Sequence, residues 1–161
     1  MMQRHLDKTD LSILAALYKD ARMNNKDIAK LAGLAPSSCL ERIKKLQSDQ
    51  VIKGAQLNVD FQALGGNIQV MISIRLSDHS QPTIDTFQTQ LTLLPEVISL
   101  YHMGGENDFL LHASLSDTEH LRNFVFNAIT ARKEVNHVET ARIYDHVKGT
   151  ELPKFSFFFN A

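Results

Sequence analysis

Near residue 60 the apolar residues change their period, and this change constrains the fold more than any other feature. Before it, Leu11, Ile13, Leu14 and Leu17, then Ile28, Leu31 and Ala32, then Cys39, Ile43 and Leu46 fall at helical spacing. After it, Ile68, Val70, Ile72, Ile74 and Leu76 alternate with Gln69, Met71, Ser73 and Arg75, as in a strand with one face in a core. Helices come first, and strands mixed with helices follow, so the chain reads as α+β in two parts. With 161 residues, 43% of them hydrophobic, it can bury one ordinary core or two small ones.

The helix ends in the first part are well marked. Asp7 can cap the first helix with Asp10 three residues on, and Asn24 with Asp27 repeats the device for the second. Gly33 supplies the left-handed residue that ends the second helix, and Pro36 suits the first turn of the third. Two helices joined by a three- to four-residue turn containing Gly form a helix-turn-helix, and the first helix completes a three-helix core. One local rule is broken, because Ala35 occupies a cap position where a hydroxyl or carboxamide is worth about 1 kcal/mol. "VIKGAQLNVDF" then reads as a strand with a turn at Gly54, a wing or connector, and the glycine pair in "ALGGN" marks a boundary.

The second part has the order β-α-β-β-α-β. After the strand from Ile68, residues 81–94 place Ile84, Phe87, Leu91 and Leu94 on one helical face. Val97–Met103 and Phe109–Leu115 are strands around "GGEND", residues 117–131 form a second helix, and Val135–His146 is the last strand. This is the ferredoxin-like arrangement, in which two helices cover one face of a four-stranded sheet. The other face calls for a cover, and a dimer partner supplies one. The expected divisions are a winged helix-turn-helix domain over 1–52, a strand linker over 53–66, a ferredoxin-like domain over 67–150 and an aromatic tail over 151–161.

Net charge is −1, yet residues 1–60 hold ten Lys/Arg against seven Asp/Glu, and residues 61–161 seven against eleven. The helical part is the basic one. On "PSSCLERIKKL", Cys39, Ile43 and Leu46 face the core, leaving Ser37, Ser38, Glu41, Arg42, Lys44 and Lys45 to point outward. Such a helix fits a major groove, where Arg reads guanine edges, Ser contacts bases or phosphates, and Lys neutralises phosphates. Glu41 either accepts from cytosine or orients Arg42 or Lys45.

Other classes find little support. The N-terminal "MMQRHLDKTD" is charged, and no run approaches the roughly 18 apolar residues of a membrane helix, so a cytoplasmic protein is expected. Cys39 is the single cysteine and forms no internal disulfide. His5, His79, His102, His112, His120, His137 and His146 lack metal-ligand spacing, and neither a GxSxG nor a phosphate-binding glycine motif occurs. A hairpin at 104–107 sets residue 102 near 109, so His102 and His112 need not meet. No cofactor or metal is expected.

"LDKTDLSIL", "DAR", "DIAKLAGL", "PSSCLERIKKL", "VIKGAQLN", "MGGENDFLL" and "VETARIYDHVKG", in that order, resemble the Lrp/AsnC (feast/famine) transcription regulators, especially the leucine-responsive branch with its "CLER" recognition helix. The resemblance spans about residues 6–149. It implies an N-terminal helix-turn-helix DNA reader joined to a C-terminal βαββαβ domain that binds small effectors, usually amino acids, and drives dimers toward octamers. On the matching loop it implies an effector pocket lined by Met103, Gly104, Gly105, Glu106, Asn107 and Asp108, with Thr140 opposite on the last strand. Glycine N–H groups there can hold an α-carboxylate, and Asp108 offers a counter-charge to an α-ammonium. A plain hairpin turn also accounts for those residue types. Ala35 replaces the usual Ser, Gln50 stands where the family favours Gly, and Glu106-Asn107 replaces a more common Asp-Tyr or Asp-Phe.

Two rival readings stay open. Sirohaem decarboxylases share the fold, although Arg42, Lys44 and Lys45 on the third helix argue against an inactive DNA-binding scaffold. A non-DNA amino-acid sensor would use the second domain alone. The tail "LPKFSFFFNA" carries four phenylalanines, expected to pack on the sensing domain or a neighbouring subunit.

Overall fold

The computed structural model describes residues 6–153 and 155, which divide into two compact units. One holds the residues up to Leu57 together with those from Val147 onward, and the other is Asn58–His146. In this grouping the chain from Val147, past the end of β4 (Val135–Arg142), goes with the helical head. There, Leu152, Pro153 and Phe155 line a pocket with Leu6, Leu11, Leu14 and Ala15 of the head. Phe155 is the one phenylalanine of the tail among the described residues, and the expected packing of Phe157–Phe159 falls outside them.

In the head, α1 (Lys8–Lys19), α2 (Asn25–Ala32) and α3 (Pro36–Ser48) enclose a core of Ile13, Ala16, Ile28, Ala29, Cys39 and Leu46. The caps are the expected ones. Asp7 accepts from the Asp10 N–H at 2.7 Å while the Asp10 carboxylate reaches back to the Asp7 N–H, closing a capping box. Asn24 accepts from the Asp27 N–H at 3.0 Å. Gly33 sits at φ 67°, and the following Leu34 N–H bonds to the Ala29 carbonyl at 2.9 Å, which ends α2 within one residue. Asn25 then ties the turn shut by donating to the Pro36 carbonyl at 2.7 Å.

No strand forms between α3 and residue 68, contrary to the wing or strand connector expected there. The reason is local. The N–H groups of Val51 and Ile52 both turn back to the Leu46 carbonyl, and Ile52 packs against the head core, so the start of the segment has no donors left for a ladder, and within the subunit no strand pairs with the rest. A 3-10 turn at Gln62–Leu64 precedes the sheet.

The second unit has the expected order, with β1 (Ile68–Leu76), α4 (Gln81–Thr92), β2 (Val97–His102), β3 (Phe109–Leu115), α5 (Thr118–Phe124), a π-helical turn (Val125–Thr130) and β4. All pairings are antiparallel, in sheet order β2-β3-β1-β4. Val70, Ile72, Ile74 and Leu76 of β1 and Phe109, Leu111, Ala113 and Leu115 of β3 face Ile84, Phe87, Leu91, Phe124 and Ile129 from the helical elements. The helix expected over 117–131 changes to π-form halfway. Its two buried large residues, Phe124 and Ile129, are five apart, a spacing that a π-turn aligns and an α-helix does not.

Candidate nucleic-acid interface and effector loop

The outward face of α3 is built by the buried line Cys39, Ile43 and Leu46, which fixes how the helix rolls on the head. Ser37, Ser38, Glu41, Lys44 and Lys45 are exposed as the spacing requires, and so is Leu40, which the sequence reading did not count among the outward residues.

Arg42 does not join them. It is half-buried, and its Nη1 donates to Asp7 Oδ2 at 2.7 Å and to Asp10 Oδ1 at 2.9 Å. Asp10 is 2% exposed, so this clamp ties α3 to the capped start of α1 through a carboxylate inside the head. The Asp10 N–H, followed by the guanidinium, holds the Asp7 carboxyl below its usual range, and the two carboxylates, Asp7 first, keep Arg42 more firmly protonated. The need for a cation near Asp10 was in the sequence, though not which residue supplies it. Asp10 stands one turn before Ile13 on the apolar stripe of α1, where a carboxylate requires a cation.

The loop between β2 and β3 is held from several sides. Met103 N–H donates to the Asp108 carbonyl at 2.7 Å, and the Asp108 N–H donates to the Ile74 carbonyl at 2.9 Å. The Asp108 carboxylate accepts from the Leu76 N–H at 2.7 Å and pairs with His79 Nε2 at 3.0 Å. Arg75 binds the Glu106 carbonyl at 2.8 Å and its carboxylate. Both Asp108 oxygens therefore serve to fasten the loop to the end of β1. Gly104 and Gly105 leave open space where a side chain would stand, and Asn107 Oδ1 is buried without a hydrogen-bond partner.

Thr140 is not brought to this loop within the subunit. It stands opposite Ile72, on the helix-covered side of the sheet, whereas Arg75 and its loop partner belong to the open side at the far end of β1. His102 pairs with Phe109, so it does not meet His112. His112 lies on the open sheet face, 9% exposed, with Nε2 3.0 Å from Gln69 Oε1; burial first, then His146, lowers its pKa.

A Gly-turned helix pair presenting a polar, lysine-bearing third helix, followed by a βαββαβ unit, defines a two-domain helix-turn-helix regulator. Comparison with known proteins agrees. Residues 6–53 match a winged helix-turn-helix DNA-binding family and residues 69–153 the Lrp/AsnC ligand binding domain. An HTH-type transcriptional regulator AldR from Mycolicibacterium smegmatis is 38% identical over 146 residues, 91% of this chain and 85% of that one. A glutamate uptake regulatory protein from Zymomonas mobilis is 37% identical over 156 residues, 94% and 93% of the two chains. Among solved structures, a transcriptional regulator from Neisseria meningitidis in complex with L-Met superposes with a TM-score of 0.82 at 26% identity, covering 92% and 96%. An AsnC family regulator from Agrobacterium tumefaciens gives 0.81 at 31% identity, covering 92% and 97%. The chain belongs to the Lrp/AsnC family, and it is a DNA-binding, effector-responsive transcriptional regulator.

Proposed function

We propose that this protein is a cytoplasmic, non-enzymatic regulator that docks α3 in the major groove as a homodimer and responds to an amino acid. The carrying observation is the exposed face of Ser37, Ser38, Glu41, Lys44 and Lys45 on a helix fixed by the Gly33–Pro36 turn. Lys44 and Lys45 neutralise phosphates, and the serines contact base edges or phosphates. Arg42 acts as a positioning residue, spending its guanidinium on Asp7 and Asp10 and setting the angle of α3.

The effector site is the loop Met103, Gly104, Gly105, Glu106, Asn107 and Asp108. Gly104 and Gly105 leave room for an α-carboxylate against the backbone, and the unpartnered Asn107 oxygen accepts from an α-ammonium. Asp108 supports the loop from beneath. The L-Met complex of the Neisseria relative and the glutamate-uptake name of the Zymomonas relative support the amino-acid class. The open sheet face, with Met71, Tyr101, Leu110 and Ala141, is the dimer surface, and dimers assemble further to octamers. Two α3 helices one duplex turn apart, about 34 Å, require a pseudo-palindromic site.

Duplex titration at several salt concentrations tests the DNA face. Log affinity falls steeply with log salt, and Lys44→Ala and Lys45→Ala each lower that slope by about 1. An unchanged slope in both variants removes α3 from the phosphate contacts.

A further inference from the structure

Leu40 is an apolar residue on a polar face. It is 43% exposed, with Ser37 one turn before it, Lys44 one turn after it and Glu41 beside it. The head core does not need it, because Cys39, Ile43 and Leu46 already complete the buried line of α3. Helix propensity does not call for it either, since Lys, Gln and Arg serve an exposed helix position about as well as Leu. Arg42, two residues on, is clamped to α1, and two residues turn about 200° around a helix. Leu40 is therefore held on the flank of α3 opposite the clamp, beside Lys44, while Lys45 lies nearer the Arg42 flank.

A surface that pairs with lysines and serines is anionic and hydrogen-bonding, and Leu40 requires it to carry one apolar group as well. The major groove of a duplex meets that description. Its phosphates match Lys44 and Lys45, its base edges match the serines, and the C5-methyl of thymine is the apolar group it offers. We propose that Leu40 is a specificity-determining residue that reads a thymine methyl. The assignment rests on the DNA reading above and adds the base that α3 selects. It also separates two tasks along the helix: Arg42 positions, while Leu40 discriminates.

The test uses the full-length protein and a duplex obtained by selection from a random pool, in which each thymine is replaced in turn by deoxyuridine, which lacks only the methyl. At one thymine or more per half-site, loss of the methyl weakens wild-type binding about fourfold, the equivalent of one buried CH₂-sized group. Leu40→Ala weakens binding to the parent duplex by a similar factor and is indifferent to deoxyuridine at that same position. Its melting midpoint stays at the wild-type value, since alanine suits an exposed helix site. Wild-type indifference to every replacement overturns the assignment while leaving the DNA reading intact. So does a Leu40→Ala variant that keeps full sensitivity, or one that keeps it while changing oligomer mass, which would make Leu40 a protein contact. Failure to select any duplex overturns the DNA reading, and this assignment with it.

Discussion

Arg42 looks like a base reader when α3 is considered alone, and like a brace once α1 is considered with it. An exposed ion pair is worth about 0–1 kcal/mol, and truncating one member of a buried pair costs about 3–5. Here one carboxylate is 2% exposed and the guanidinium side chain 35%, so Arg42→Ala is expected to destabilise the head by about 2 kcal/mol, between those limits. Urea unfolding of Arg42→Ala, Asp10→Asn and the double variant measures it, and simple additivity of the two losses would deny the clamp. Acid gives a second reading. Asp7 has a folded pKa below its ordinary value of about 3.9, so its contribution is present above that pH and lost as pH falls through the depressed value. Asp7→Asn should therefore lose less stability than wild type on acidification below about pH 4. The individual groups were legible, with Asp10 on an apolar stripe and Arg42 next to Ile43 on α3. Their meeting was not, because it depends on the crossing of α1 and α3, which helical periodicity does not encode.

The elements themselves followed their local chemistry closely, and the two ends of α3 show where it is incomplete. Ala35 has cap geometry, φ −67° and ψ 145°, but no side-chain acceptor for the first turn. Past the other end, Gln50 takes φ 57°, the one positive value at a non-glycine among the described residues. Ala35→Ser supplies the missing acceptor, and Gln50→Gly relieves the left-handed strain, each worth about 1 kcal/mol. Because the sites lie at opposite ends of a 13-residue helix, the gains should add. Chemical denaturation of the two single variants and the double variant checks this, and no gain from Gln50→Gly would show that its backbone is unstrained. The limits of β1 came directly from alternation, because it has one face in a continuous core, and those of β3 from the turn residues of "GGEND" before it. Residues 51–61, expected as a strand with a turn at Gly54, form none within the subunit for the converse reason. Their propensity is extended, but no neighbour is in place to accept the ladder, and tertiary context decides β structure more than composition does.

At the scale of the molecule, regulation requires that a ligand in one unit bias what the other unit does, and a single residue makes this measurable. Cys39 is the chain's one cysteine, 0% exposed within the head, and burial raises its thiol pKa, so it reacts with a thiol reagent only when the head opens. An amino acid bound at the Met103–Asp108 loop belongs to the other unit. At about 100 times its dissociation constant it stabilises that unit by about 2.7 kcal/mol. A thermal-shift screen of the twenty amino acids is therefore expected to yield at least one that raises the melting of the second unit while leaving the Cys39 labelling rate unchanged. Duplex DNA should slow that labelling, because it binds the head. Linkage then fixes the last quantity: the factor by which the amino acid changes duplex affinity must equal the factor by which the duplex changes amino-acid affinity. Equal protection of Cys39 and of the second unit by the amino acid alone would mean one cooperative body in place of two. No response to any of the twenty would remove the amino-acid effector while leaving the DNA face untouched.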